Sequence, residues 1–274
     1  MQNRISTNTN LLCLFRGGGR RKMNQIIPLL AAGGYSDFDL NFCEMMNPAS
    51  ELKNKESAKP YIKALLSLKE ELGLNYHQCH LPYNQEFPSL SEHVKMLHLD
   101  QMKLAIEHSA ELGIKTLVAH PIKGSIDDNI SYFSKLLPSL FDGQRFAIEN
   151  MERKDEIYSA SDLLRIASGL DDKAGICLDT GHANMMRQDI PQFIVQCGEK
   201  LLATHIADNN GIDDQHLLPG FGSICWEEVI PAFREHYKGF LNYEAMFYGR
   251  NLPESSYKMI IDNSLLCSKW LFSL

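Results

Sequence analysis

Cys177-Leu178-Asp179-Thr180-Gly181-His182 closes a short apolar run that begins at Ala174. The run reads as a buried strand. It ends on a carboxylate, turns on a glycine and presents an imidazole three residues later. Oxygen and nitrogen donors projecting together from a strand end suit a hard-to-borderline divalent cation. The spacing alone is only suggestive, so its meaning depends on whether the pattern recurs.

It does recur. Apolar β-type runs at Arg4–Asn8, 38–43, 74–81, 116–120, Arg145–Glu149, Ala174–Asp179, 202–206 and 240–244 alternate with stretches at helical spacing. Tyr61, Leu65, Leu66, Leu68 and Leu72 form one such stretch, and Met102, Ala105, Ile106, Ala110 and Leu112 another. Ser91 before Glu92 marks the start of the helix running to Leu112. Ser161-Asp162 opens a later helix, as N-cap or first-turn acid, and Gly169 closes it. Eight units in 274 residues give a period of about 34, which suits the βα repeats of a closed barrel. No linker or low-complexity tract interrupts the alternation, so residues 1–274 are expected to form a single-domain α/β fold, a (β/α)8 TIM barrel. A doubly wound open sheet would alternate similarly, but it calls for a GxGxxG loop after an early strand. Gly17-Gly18-Gly19 lacks that spacing.

In such a barrel, side chains at the C-terminal ends of the strands converge on one mouth. Strands three to eight end on His80, His120, Glu149, Asp179, His205 and Glu244. His182 follows Asp179 across its turn, and Asp214 and His216 follow His205 in the next loop. Any one of these would be unremarkable alone, whereas six on successive strands point to a shared metal site. Asp39, on strand two, is expected beside it. Met45-Met46 and Met185-Met186 are candidate walls. Trp226 either packs the start of a helix or contacts substrate.

The composition, 44% hydrophobic and 22% charged, is that of an ordinary globular protein. A formal net charge of −7 argues against general nucleic-acid binding. The loops 44–50, 83–87 and 122–128, which would ring the mouth, carry one lysine between them. Arg16-Gly17-Gly18-Gly19-Arg20-Arg21-Lys22 is the exception: it reads either as an anion nest for a phosphate or as a solvated loop. Seven cysteines without a CxxC pair suggest a reducing compartment, the cytoplasm. No apolar stretch is long enough to span a bilayer, so no membrane partner is expected. Leu11-Leu12-Cys13-Leu14-Phe15 is too short and poorly flanked for a signal peptide. A homo-oligomer is compatible with the sequence.

Several segments carry a family resemblance. They are Cys79-His80-Leu81-Pro82, Ala119-His120-Pro121, Ala147-Ile148-Glu149-Asn150, Asp179-Thr180-Gly181-His182-Ala183, His205-Ile206-Ala207-Asp208-Asn209-Asn210-Gly211 and His216-Leu217-Leu218-Pro219-Gly220-Phe221-Gly222. Together they resemble the xylose-isomerase-like TIM-barrel superfamily, over essentially the whole chain. That superfamily includes sugar-phosphate isomerase/epimerase-like proteins and the endonuclease IV repair enzymes. The resemblance implies a principal metal site of Glu149, Asp179, His205 and Glu244. It also implies that His182 contacts substrate, as in ketose epimerases, or binds a further zinc, as in the nucleases. His80, His120, Asp214 and His216 match additional zinc ligands of the nuclease branch. One departure is clear. The better-defined ketose 3-epimerases place a substrate-binding arginine soon after the strand-seven histidine, and Asn209-Asn210-Gly211-Ile212-Asp213-Asp214 has none. An inosose-type dehydratase or isomerase therefore stays open.

Two chemistries follow. An isomerase or epimerase acting on a sugar, cyclitol or sugar phosphate removes a proton beside a carbonyl and returns it elsewhere or from the other face. A divalent metal would polarise the carbonyl and hold the enediolate. Glu149 and Glu244 would be base and acid, with His182, His80, His120 and Trp226 as candidate substrate contacts. A multi-zinc phosphodiesterase acting on abasic DNA would instead use His80, His120, His182, Asp214 and His216 as ligands, but it lacks basic loops to grip phosphates. The small-molecule reading is preferred, with a non-catalytic sugar-binding barrel as a third. His and carboxylate donors favour Mn2+, Zn2+ or Co2+ over Ca2+.

Overall fold

The computed structural model describes residues 4–16, 19–246 and 248–273. Gly17 and Gly18 of the basic loop lie outside the described residues. Eight parallel strands follow one another around a sheet: β1 (Arg4–Asn8), β2 (Asp37–Asn41), β3 (Asn75–His80), β4 (Thr116–Ala119), β5 (Arg145–Glu149), β6 (Ala174–Asp179), β7 (Leu201–His205) and β8 (Phe240–Tyr243). β8 pairs with β1, and a bridge between Ile206 and Tyr243 joins β7 to β8 and closes the barrel. Two backbone hydrogen bonds secure that seam: Ile206 N donates to Asn242 O at 2.7 Å, and Glu244 N to Ile206 O at 3.1 Å.

The helices α1 (Met23–Gly33), α2 (Lys55–Glu71), α3 (Glu92–Glu111), α4 (Ile126–Ser134), α5 (Ala160–Ser168), α7 (Ile190–Cys197), α8 (Trp226–His236) and α9 (Tyr257–Leu271) connect or follow the strands, and the short α6 (Thr180–Met185) opens directly from β6. Their starts are chemically marked. Asn54 accepts hydrogen bonds from Glu56 N and Ser57 N, and Ser125 and Asp128 form a reciprocal capping box. Of the two roles expected at Ser161-Asp162, Asp162 takes that of first-turn acid, and the N-cap is Ser159. Strand two is also shorter than expected. The Asn41 side chain accepts from Cys43 N at 3.0 Å and starts a 3-10 turn, Phe42–Met46, in place of further extended chain.

Alternation along the strands determines which side chains reach the mouth. Successive residues of a strand face opposite sides of the sheet. Ala174, Ile176 and Leu178 of β6 join the large apolar layer with Phe38, Phe133, Phe146 and Phe233 beneath the helices. Cys177 instead meets Val118, Ala147 and Ala203 in a small cluster lining the barrel axis. Two residues on from these four inward positions stand Asp179, His120, Glu149 and His205. A small apolar layer inside the barrel is thus capped by a layer of metal-type donors.

Candidate metal centre

His205, fully buried at the end of β7, is the hub of the site. Its Nδ1 lies 2.9 Å from Glu149 Oε1 and 3.2 Å from Glu244 Oε2, and its Nε2 lies 3.3 Å from Asp39 Oδ2. Asp39 is held in turn by donors from Gln78 Nε2 at 3.1 Å and Asn242 Nδ2 at 3.0 Å. With a metal bound, a ring N–H facing Asp39 would leave the Nδ1 lone pair for the cation; without one, Nδ1 lies at hydrogen-bond distance from Glu149. Glu149, Asp179, His205 and Glu244 each offer one ligand atom, and all four atoms fall within 4.8 Å of one another.

A second group adjoins the first through Glu149. His80 Nε2 and His120 Nε2 are 3.0 Å apart, and each is 3.3 Å from Glu149 Oε2. Ligand atoms 2.0–2.1 Å from a tetrahedral zinc stand about 3.3 Å apart, the same spacing. The two oxygens of Glu149 therefore face two different donor groups. His80 Nδ1 sits 2.9 Å from Leu81 O, and His182 Nδ1 sits 2.8 Å from Asn150 O. With His205 and Asp39, three imidazoles have one nitrogen turned to an oxygen acceptor and the other toward the site. Ligating histidines are oriented in this way.

The electrostatics also suit a cation. Glu149 Oε2 and Asp179 Oδ2 are buried oxygens with no hydrogen-bond partner among the described residues, a costly state for a carboxylate. Burial, and after it the crowding of Glu244, Glu149 and Asp214, raises the Asp179 carboxyl against the opposing pull of His182. Burial likewise opposes ionisation of Glu149, but His205 and His120 outweigh it and hold that carboxyl well below its usual range. Three carboxylates in a dry pocket are stable together when a metal satisfies them. The donor set fits a divalent metal cofactor.

The Asp179-Thr180-Gly181-His182 turn divides its work. Asp179 Oδ1 caps α6 by accepting from His182 N at 2.7 Å, which leaves Oδ2 toward the metal group. Beyond β5, β6 and β7, side chains continue the pairing between strands. Asn150 bonds Asp179 in both directions, Asp179 N to Asn150 Oδ1 at 2.7 Å and Asn150 Nδ2 to Asp179 O at 3.0 Å. Thr180 Oγ1 donates to Ala207 O at 2.7 Å. Neither Asn150 nor Thr180 carries a local sequence signal of this role. Asp214 Oδ2 is 2.8 Å from His216 Nε2 and 3.7 Å from His182 Nε2. Among the described residues these three do not gather into a compact ligand group as the two sets around Glu149 do.

A residue of the segment 205–211 to which the sequence assigns no role organises the loop that carries Asp214 and His216. Asp208, fully buried, accepts from Asn209 N at 2.9 Å, Gly220 N at 2.9 Å, Ile224 N at 3.2 Å and Trp226 Nε1 at 2.9 Å. Trp226 therefore stands behind the site, 1% exposed, and does not line the cavity. Gly222 passes so close that an added Cβ would lie 2.3 Å from Asp208 Oδ1 and 2.4 Å from Asn209 O. Only glycine fits there, which accounts for the last residue of His216–Gly222.

Above the donors opens a cavity of about 570 Å3, lined by His80, His120, Glu149, His182, Asp214, His216 and Glu244. Met46, Met151, Met246 and Tyr83 form its apolar wall. Of the expected methionines, Met45 is buried in the core, and Met185 and Met186 do not reach the cavity. Tyr83 stacks on His120 with ring centroids 4.2 Å apart. Glu152, missed in the sequence, also lines the cavity, with Oε2 3.7 Å from His182 Nε2.

A barrel with a ring of metal donors at its strand ends defines a class of metal-binding TIM barrels. The xylose isomerase-like TIM barrel family model matches residues 29–258, and the chain belongs to that family. Among its relatives is the uncharacterized protein MJ1311 of Methanocaldococcus jannaschii, 29% identical over 201 residues, which are 67% of this chain and 68% of that protein. Among solved structures, the D-psicose 3-epimerase determined in the presence of D-fructose superposes with a TM-score of 0.75 at 15% identity, covering 98% of this chain and 99% of that one. The IOLI protein with a bound zinc atom gives 0.69 at 17% identity, covering 98% of each chain. At these identities the superpositions speak for the fold. No helix among the described residues is long and apolar enough to cross a membrane.

Proposed function

We propose that this protein is a divalent-metal-dependent isomerase or epimerase acting on a sugar, cyclitol or sugar phosphate, with Glu149 and Glu244 as its proton-transfer pair. One observation carries the reading. Both carboxylates flank the same His205 nitrogen, at 2.9 and 3.2 Å, on the floor of a cavity of about 570 Å3. That volume is typical of a small-molecule site. Glu149, Asp179, His205 and Glu244 would hold the principal metal, Mn2+, Zn2+ or Co2+. When bound, the metal supplies Lewis-acid polarisation of the substrate carbonyl and lowers the barrier to loss of the neighbouring proton. One carboxylate removes that proton and the other returns it, each typically contributing about 10²–10⁴-fold. His182, oriented by Asn150 O, presents Nε2 to a substrate hydroxyl. His80 and His120 present theirs beside it or to a second cation. The superposed epimerase and zinc-bound structures support this reading, and the free thiols of all seven cysteines support a cytoplasmic setting.

The test is deuterium incorporation from D2O into a panel of ketoses, inososes and sugar phosphates by metal-loaded protein. Incorporation that chelation abolishes is expected. Cleavage of an abasic-site duplex without any incorporation would transfer the site to phosphodiester chemistry.

A further inference from the structure

Two arginines adjacent in sequence have opposite environments. The chain after β1 folds back on itself, with an antiparallel bridge between Leu14 and Arg20, Phe15 N donating to Gly19 O at 3.1 Å and Arg21 N to Cys13 O at 2.8 Å. Extended backbone sends successive side chains to opposite sides. Arg21 turns away from the site, lies against the rings of Phe15 and Tyr257, and pairs with Glu254. Lys22 pairs with Glu51 at 2.8 Å. Arg20 turns the other way and lines the metal cavity.

Arg20 is exposed at the rim, and its Nη2 donates to the neutral amide oxygen of Asn10 at 3.1 Å. Among the described residues, no carboxylate stands within ion-pair distance of it. Glu44, the nearby acid of the same rim, is engaged by the Tyr61 hydroxyl at 2.9 Å. The only other arginine or lysine on the cavity wall among the described residues, Arg153, lies 3.8 Å from Glu152 Oε1. Around Arg20 the wall carries the amides Asn10 and Asn41 beside Glu44, with Asn47 and Gln85 further along the same cavity. A guanidinium held for structure has its charge matched, as Arg21 shows next door. One held over a cavity beside amides offers a planar fork suited to phosphate or carboxylate.

We infer that the cavity takes an anionic sugar, whose phosphate or carboxylate group is gripped by Arg20 while the reacting carbons lie over Glu149 and Glu244. This rests on the isomerase reading for the identity of the reacting end. It does not rest on that reading for the anion subsite. Residues 17 and 18 contribute nothing to the inference; the cation and the amides carry it.

The test is titration of metal-loaded wild type, Arg20→Gln and Arg21→Gln with inorganic phosphate and, separately, acetate. Loss of a charge-assisted contact is expected to weaken phosphate or acetate binding about tenfold or more in Arg20→Gln, and not in Arg21→Gln. Arg20→Lys, which keeps the charge but not the fork, should fall between and serves if Arg20→Gln folds poorly. Preference for phosphate assigns a phosphate monoester, and preference for acetate a sugar acid. Failure of both anions to bind wild type, or equal binding by Arg20→Gln, would overturn the inference. Anion binding that depends on Arg20 without deuterium exchange on any sugar would remove the isomerase reading and leave this subsite standing.

Discussion

Asp39 touches no cavity, yet replacing it should change how tightly the centre holds its metal. Its Oδ2 accepts from Gln78 and Asn242 and stands 3.3 Å from His205 Nε2. Asp39→Asn preserves shape and leaves an oxygen for those donors, because the other carboxylate oxygen has no partner among the described residues. What it removes is the negative charge that anchors the His205 ring N–H. Losing such a partner typically weakens metal binding about 10–100-fold. At a metal concentration of about 100 Kd, binding stabilises the wild type by about 2.7 kcal/mol. A thirtyfold loss of affinity would leave about 0.9 kcal/mol by the same relation. At roughly 2–4 °C per kcal/mol for a chain of this size, the metal-induced rise in Tm should shrink by about 4–7 °C. Competition with a chromophoric chelator, alongside thermal melts with and without metal, reads both quantities. A variant whose metal Kd and metal-induced shift equal the wild type's would refute the assignment of Asp39 as the group that orients His205.

Other outcomes follow from the same geometry. Asp208→Ala strips the acceptor from four N–H groups, three of them in buried hydrogen bonds, so urea denaturation should show a loss of about 3 kcal/mol, with faster amide exchange across residues 209–224. A change within ~0.5 kcal/mol would contradict the pinning role. Gly222→Ala places a methyl against backbone, so it should displace the same loop and reduce the solubility or thermal stability of the protein while conserving the β1–β6 exchange pattern. Burial lowers the His98 pKa from its ordinary 6.5 to about 4. Between those values the unfolded chain binds a proton that the folded chain does not. The His98 contribution is therefore complete above pH 6.5 and is lost as pH falls toward 4, by about 3 kcal/mol in all. Stability of His98→Gln should vary less steeply than that of the wild type across this window, and parallel curves would exclude His98 as the titrating group.

The barrel and its donors were legible because the information is periodic and local. Each strand buries both faces, and two residues past the small inward side chains Val118, Ala147, Cys177 and Ala203 comes a donor with a different chemistry. What was not legible depends on contacts between distant positions. Asp208 reaches Trp226 eighteen residues later, and Asn150 reaches Asp179 across twenty-nine. Nothing in either local sequence announces such a partner. Trp226 reads as either a helix-start packer or a pocket residue; it is the buried first residue of α8, and its indole N–H donates to Asp208. Arg20 and Arg21 look equivalent in a basic loop, and only the hairpin separates them. At Asn41 a side-chain acceptor ended the strand before its apolar run did.

The most direct test of the account is deuterium exchange by wild type, Glu149→Gln and Glu244→Gln on the same responsive sugar, with metal content measured in each sample. The account predicts exchange by metal-loaded wild type, loss of at least about 10²-fold in each variant at matched metal content, and none without metal. Exchange that survives both substitutions, or that proceeds undiminished in the metal-free protein, would contradict the claim that these two carboxylates move the proton at a metal centre.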